Sequence, residues 1–374
     1  MTSTAVEADA YPYTDFASLS YPPQFAATAL GISPQTLKNI EAEGSITISR
    51  VSRGSVQTRS YSLNDIFQIA RMRRDNKLVK GFSRPFVVSN YVPKGGTGKT
   101  TTTGNIAVQF SLMGLKTLVI DNDPQADIST MFGYDPDLEP HELAEMGIPL
   151  DRGIDGNLGN LLWISNLFKQ KTLEEVIKKP FGEYGPHLIP ADIGLDDMDT
   201  ALRAAINSDL RYSLFIEQAR TGKLKHCDLS SYDVIIIDNA PAGDMLSRNA
   251  MVAADFLVCP IRMDKFSFRA LSRLAQRLNA FVEGFGRSPE IIAIPTMYVR
   301  NRPRLERNMG TLMNLFPGKV TESRLYLADD YQKSLEAGVP LALWRQANEN
   351  SMTAMRGVFD EMVARIRAVT EGSK

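Results

Sequence analysis

Short apolar runs separated by amphipathic stretches organise most of this chain. Phe86–Val92, Thr117–Asp121, Pro186–Pro190, Val234–Asp238, Phe256–Pro260 and Ile291–Tyr298 are apolar and mostly β-branched, and helical patterns separate them. Apolar strands alternating with helices predict an α/β domain with a mostly parallel, doubly wound sheet covered on both faces. Near the end, Met352–Val369 sets Met355, Val358, Phe359, Met362, Val363, Ile366 and Val369 on one side, which predicts a long amphipathic helix.

A different pattern precedes the strands. A short helix over Gln24–Leu30 ends at Gly31, and Ser33-Pro34 opens a second over Gln35–Glu43, stopped by Gly44. Serine at the cap with proline in the first turn is a strong start signal. Helix, tight turn and helix at this length predict a helix-turn-helix. Ile46–Tyr61, with Arg50, Arg53 and Arg59 around Gly54, predicts a hairpin wing, and Ser62–Asp65 caps a helix over Ile66–Arg74. The expected organisation is a lead segment at 1–20, a winged helix-turn-helix domain at 21–76, a polar linker at 77–84 and the α/β domain at 85–374. Ser33, Gln35, Thr36, Lys38 and Asn39, near the start of the second helix, suit major-groove edges and phosphates. Arg53 and Arg59 suit adjacent phosphates or the minor groove. The competing reading is a small helical appendage that serves only dimerisation.

Composition narrows the classes. Lysine and arginine total 42 against 43 acidic residues, so any nucleic-acid contact must come from local basic patches. The two cysteines, Cys227 and Cys259, are far apart with no CxxC, which argues against a disulfide scaffold, a zinc ribbon or a cysteine-ligated cluster. No apolar run reaches the roughly 18 residues of a membrane span. The first residues, MTSTAVEADAYPYTD, have neither a basic start nor an apolar core, so no secretory signal is expected and a cytoplasmic location is the default.

The candidate chemistry begins at Lys94-Gly95-Gly96-Thr97-Gly98-Lys99-Thr100-Thr101-Thr102, between a buried strand and a helix. Strand, glycine-rich loop and helix form a phosphate cradle, in which backbone N–H groups and the positive end of the helix face phosphate oxygens. Residues 94–101 would line the nucleotide, Lys99 would reach the β- and γ-phosphates, and the Thr100 hydroxyl would hold Mg²⁺.

The loop departs from the ordinary pattern: Pro93 stands where the first glycine is usual, and a second lysine, Lys94, follows it. The segment KGGTGKTTT resembles the deviant Walker A loop of the ParA and Min family of ATPases, which have a P-loop NTPase-like fold. The resemblance implies ATP and Mg²⁺ as cofactors, a homodimer, and a catalytic Lys94 that reaches the partner's nucleotide. Leu118-Val119-Ile120-Asp121-Asn122-Asp123-Pro124-Gln125 matches the family's DxDPQ motif. Asp121 would order waters around Mg²⁺, and Asp123 would orient or activate the attacking water. Val234-Ile235-Ile236-Ile237-Asp238 resembles the Walker B strand, with Asp238 facing the metal. It continues Asn239-Ala240-Pro241-Ala242 where the family has DxPP, so the local switch geometry is expected to differ. Asn249–Ile261 resembles the family's AAD-x-x-L-x-P-I segment. The resemblance implies adenine contacts from Met297, within Thr296-Met297-Tyr298, and from Pro340, within Gly338-Val339-Pro340-Leu341.

The N-terminal pattern resembles the winged helix-turn-helix of MerR-type regulators. Together the resemblances imply a partition ATPase whose ATP-bound dimer holds nucleoid DNA non-specifically and is released when a ParB-like centromere-binding protein stimulates an otherwise slow hydrolysis. The N-terminal module would bind operator DNA and repress its own transcription. Candidate patches for the non-specific contact are Arg300, Arg302, Arg304 and Arg307; Arg269, Arg273 and Arg277; and Arg356, Arg365 and Arg367. Solvated faces are the plain alternative for such stripes. Competing functions are a nucleotide-switched transcription regulator and a Min-type membrane positioner. The second would use the last helix, for which packing on the core is the preferred expectation.

Overall fold

The structure is a computed structural model that describes residues 14–43, 46–53, 56–263, 272–273, 275–276, 283–285 and 289–372. Its centre is a six-stranded sheet, all parallel, in the order β6-β5-β7-β4-β8-β9. The strands are β4 (Phe86–Asn90), β5 (Thr117–Asn122), β6 (His187–Ile189), β7 (Val234–Asn239), β8 (Phe256–Arg262) and β9 (Glu290–Thr296). β4 to β7 are buried at every position, which is why they read as continuous apolar runs. The predicted Phe86–Val92 strand ends two residues early because Tyr91 and Val92 turn into the loop. The helix expected after the glycine-rich loop is α4, which covers Lys99–Leu112 and begins directly at Lys99.

The N-terminal region forms its own three-stranded sheet, β1-β3-β2, from β1 (Ser20–Tyr21), β2 (Ser49–Arg53) and β3 (Val56–Ser62). The β2–β3 hairpin pairs Arg50 with Arg59. α1 (Pro23–Ala29) and α2 (Pro34–Ala42) meet at Gly31, whose φ of 63° suits a residue without Cβ. Ser33 caps α2 by accepting from the Thr36 N–H at 3.0 Å. α3 (Leu63–Asp75) starts with a capping box between Ser62 and Asp65. β1 was not predicted; two residues are too few to show an alternation.

This module is not tethered loosely. Residues 77–84 contain no helix or strand, yet α3 packs along α4, and one apolar cluster runs from Phe16 and Leu37 through Phe67 to Phe110 and Phe359. The Arg74 guanidinium grips Asp233 with two bonds of 2.6 and 2.7 Å, and Arg73 donates to the Leu30 carbonyl at 2.8 Å. The end of the lead segment is also packed. Phe16 stacks at 4.5 Å on Phe181, and Thr14 donates to the Ala337 carbonyl at 2.9 Å. Residues 1–13 lie outside the described residues.

The last helix, Glu349–Gly372, buries Met355, Val358, Phe359, Met362, Val363 and Ile366, and Phe359 meets Phe110 at 5.0 Å. Its apolar face is therefore occupied by the core as far as Ile366, whereas Val369, predicted on the same side, is exposed. No helix among the described residues is long and apolar enough to cross a membrane.

Gly114 marks the closest approach between α3 and the α/β domain. Its φ is 81°, and a Cβ there would sit 2.4 Å from the Ala70 carbonyl oxygen. Gly114→Ala is expected to lose about 3 kcal/mol, from left-handed strain plus the clash with backbone. Urea unfolding of the intact chain checks this.

Candidate active site

The site forms at the C-terminal edge of the sheet, where β4 lies between β7 and β8 and the crossovers leave a crevice. Gly96 and Gly98 have φ of 65° and 86°, the left-handed region that glycine enters without strain. A Cβ at Gly95, Gly96 or Gly98 would meet nothing within 4 Å, so these positions border open space and their φ values set the requirement. α4 begins at Lys99, directly after Gly98, and points its N-terminus into the same space. The Thr296 hydroxyl donates to the Thr97 carbonyl at 2.8 Å and ties the loop to the end of β9.

Lys99 is 8% exposed, and its ammonium donates to the Lys94 carbonyl at 3.4 Å. Burial lowers its pKa, opposed by the carboxylates of Asp238, Asp123 and Asp127. Asp238, 1% exposed, accepts from the Thr103 hydroxyl at 2.6 Å and from the Thr100 hydroxyl. Burial raises its pKa to about 7 in spite of those bonds and of Lys99. Asp123 is raised by burial too, while Oδ1 accepts from the Gln125 N–H at 3.0 Å. Lys94 is half-buried at the start of the loop.

Asp121 is placed differently. Its Oδ2 accepts from the Ser129 hydroxyl at 2.6 Å and the Ser129 N–H at 3.0 Å, and the residue is fully buried. Burial holds its carboxyl well above the usual range. Asp121 thus anchors α5 (Asp127–Met131), and Ser129 in turn accepts from the Ala191 N–H at 3.0 Å.

Two connected hollows border the loop. One of about 530 Å³ is lined by Gly96, Lys99, Thr100, Asp127 and Gly338. The other, about 270 Å³, runs from Thr97 and Thr101 to Met297, Tyr326, Tyr331 and Gln332. Met297 lines this second hollow. Pro340 is buried and lines neither hollow; it precedes the turn Leu341–Leu343, whose Ala342 N–H donates to Asn105 on α4 at 2.9 Å. Sequence reasoning missed Thr103, Asn90, Ser129 and Tyr326. Thr103 lies one helical turn beyond Lys99, and that spacing is the signal that was available.

The site fits a phosphate group and a small hard cation. The loop exposes left-handed glycines and a buried ammonium, the Thr97 hydroxyl oxygen is buried without a partner, and the carboxylate of Asp238 faces a threonine hydroxyl. No cluster of three His, Cys, Asp or Glu occurs among the described residues, so a cation here would need phosphate and water oxygens to complete its shell.

In the N-terminal module, Ser33, Gln35, Thr36, Lys38 and Asn39 are exposed on α2, while Leu37 is buried beneath them. The Gln35 amide donates to Asn39 at 2.9 Å. Arg59 is ion-paired with Glu41, which also accepts from Tyr61. Arg53 ends β2, and its side chain lies outside the described residues. Among the basic stripes, Arg302, Arg304 and Arg307 are exposed, and Arg300 is exposed while stacking on Tyr326 at 4.4 Å. Arg356, Arg365 and Arg367 instead donate to the Thr28, Val320 and Lys80 carbonyls. Arg269 and Arg277 lie outside the described residues, and Arg273 is exposed.

Asp238→Asn is expected to stabilise the metal-free protein at pH 8, because the amide keeps both hydroxyl contacts without a buried charge. Asp238 has a folded pKa near 7, well above the ordinary carboxylate range that it regains on unfolding. Its protonated form therefore favours folding, and that benefit fades as pH rises through this window. The gap between variant and wild type in urea midpoint should narrow from pH 8 to pH 5; a gap that widens contradicts the assignment.

The chain is similar in sequence and in fold to known proteins. The chain is 27% identical over 291 residues to the putative replication protein A of Rhizobium rhizogenes, covering 74% of this chain and 66% of that protein. It thus spans just under two thirds of that relative's length. Protein SopA of Escherichia coli K12 is 23% identical over 370 residues, covering 90% of this chain and 87% of that one. In fold, the chain is similar to a putative plasmid partition protein from Borrelia burgdorferi, solved bound to AMPPNP. The TM-score is 0.53 at 20% identity, covering 76% of this chain and 100% of that one. Residues 86–289, more than half of the chain, match the model of the AAA domain family, and the chain belongs to that family.

Proposed function

We propose that this chain is a MgATP-driven DNA partition switch. The observation that carries the reading is the loop itself. Lys99 is sunk at the head of α4 just after the left-handed Gly96 and Gly98, and Lys94, the second lysine, is half-buried at the start of the same loop. One ammonium would serve the chain's own β- and γ-phosphates. The other, in a head-to-head homodimer, would reach the partner's nucleotide. The base would enter the smaller hollow beside Met297 and Tyr326, with Pro340 supporting the wall from behind.

Thr100 and Asp238 would hold Mg²⁺, with Asp121 acting at one remove by fixing the segment that carries Asp123. The chemistry Mg²⁺ supplies when bound is neutralisation of charge on the phosphate oxygens. Asp123, oriented by the Gln125 N–H, would hold the attacking water and accept its hydrogen bond. Gly95, Gly96, Thr97, Gly98 and Thr101 would cradle the phosphates through their backbone N–H groups. Hydrolysis should be slow until a dimer and a ParB-like partner complete the charge stabilisation.

The nucleotide-bound dimer would hold nucleoid DNA non-specifically. The exposed Arg302, Arg304 and Arg307 support this role better than the C-terminal arginines, which are engaged within the chain. The exposed face of α2 supports operator binding and autorepression. Gln35, Thr36, Lys38 and Asn39 would meet the major groove, Ser33 would hold the helix end, and Arg53 and Arg59 would flank it on the wing. A nucleotide-switched regulator is the second reading, supported by the packing of α3 on α4. Asp123→Ala separates the two, since a partition switch would lose cargo movement while a regulator would keep operator control.

Lys99→Ala is expected to weaken ATP binding more than tenfold by fluorescent-nucleotide titration. Lys94→Ala should bind ATP within about threefold of wild type but lose ATP-dependent dimerisation in sedimentation, and with it turnover. Normal hydrolysis by Lys99→Ala would remove the assigned site. For the N-terminal module, Lys38→Ala should weaken operator-fragment binding and reduce the slope of affinity against salt by about one charge. An unchanged slope would take α2 off the DNA.

A further inference from the structure

Asn239 follows Asp238 directly, at the place where the sequence breaks the DxPP pattern. It is 1% exposed. Its amide nitrogen donates to the Ser89 hydroxyl at 3.0 Å and to the Asn90 carbonyl at 3.0 Å, with the Ile237 carbonyl at 3.3 Å sharing a hydrogen. Its amide oxygen accepts from the Asn122 side chain at 2.8 Å. Asn122, also fully buried, accepts from the Tyr212 hydroxyl at 2.7 Å. One side chain therefore bridges the ends of three adjacent strands: β4, which leads into the phosphate loop; β5, whose next residue is Asp123; and β7, which carries Asp238.

The chain of bonds continues and closes. Tyr212, in the helix Arg211–Arg220, donates its N–H to Asn249 at 3.2 Å. Asn249 donates to the Ser208 carbonyl at 2.7 Å and to the Met245 carbonyl at 3.0 Å. Met245 opens the helix Met245–Ala253. The segment 240–244, exposed at Pro241, Ala242 and Gly243, thus has Asn239 at one end and the Asn249–Met245 contact at the other. The circuit brackets the segment that follows Asp238 and includes Asn122, the residue directly before Asp123.

We propose that Asn239, Asn122 and Tyr212 form a positioning unit that fixes Asp123 relative to the phosphate loop, so that hydrolysis depends on the unit more than nucleotide binding does. The inference rests on the ATPase reading above. The physical reason is the split in what each step needs. Binding draws on loop N–H groups and Lys99, whose placement is set by Gly96, Gly98 and α4. Hydrolysis also needs a water held to within a fraction of an ångström, and a misplacement near 1 Å costs on the order of a hundredfold. Network amides left unpaired in a buried site will relax by moving the strand ends they joined.

The test measures single-turnover hydrolysis of bound ATP and the Kd for a fluorescent ADP analogue in wild type, Tyr212→Phe and Asn239→Ala. Rates are expressed per nucleotide-binding site. Tyr212→Phe keeps the ring and loses one hydroxyl, so it remains informative should Asn239→Ala fail to fold. The expected result is a rate lowered about tenfold in Tyr212→Phe and more in Asn239→Ala, with Kd within about threefold of wild type. Rates equal to wild type, or losses in rate matched by equal losses in affinity, overturn the inference and leave the ATPase reading standing. A wild type that neither binds nor hydrolyses ATP overturns the ATPase reading itself, and this inference with it.

Discussion

The constraint on which the rest depends is the turn at Gly96-Thr97-Gly98. Two left-handed residues in three let the chain leave β4 and start α4 within a few residues. That geometry aims the first N–H groups of the helix at one point and delivers Lys99 to the same place. A side chain with a Cβ at Gly96 or Gly98 would strain the backbone even though the space beside it is open. The requirement is therefore conformational, and everything around the loop conforms to it. Thr296 fixes the loop's carbonyl, Asn90 holds the first turn of α4 through the Lys99 carbonyl at 2.9 Å, and Asn105 fastens the segment after Gly338.

Charge is arranged around that point in an unusual way. Three carboxylates, Asp121, Asp123 and Asp238, lie buried with raised pKa values, near a lysine lowered by the same burial. Such an edge is costly unless something charged completes it. Asp121 is satisfied within the fold by Ser129, whereas Asp238 has only hydroxyl donors and the field of Lys99. The difference separates a carboxylate that builds the site from one whose environment calls for a cation.

Much of this was legible in the sequence, for reasons that are physical. Strands buried on both faces must be apolar throughout, so β4 to β9 stood out, and a glycine-rich turn between strand and helix has few other uses. The short N-terminal helices announced themselves through Ser33-Pro34, Gly31 and the Ser62–Asp65 cap. What stayed hidden depends on contacts between residues distant in the chain. Nothing local marks Asn122, Asn239 and Tyr212 as partners, or Ser129 as the group that takes Asp121. The docking of α3 on α4 was also hidden. Leu63, Ile66, Phe67, Ile69 and Ala70 are all buried, a stripe wider than a helix-turn-helix needs for its own small core. That excess of apolar surface was the only sign that a second body would cover it.

With the N-terminal module packed against the helix that opens at the glycine-rich loop, both proposed roles rest on whether that loop grips a polyphosphate. Calorimetric titration of the wild type with MgATP, ADP and AMP tests this most directly. A loop that holds β- and γ-phosphates through Lys99 predicts one nucleotide per chain, with AMP bound at least a hundredfold more weakly than ATP. AMP binding as tightly as ATP, or no heat from any of the three, would contradict it.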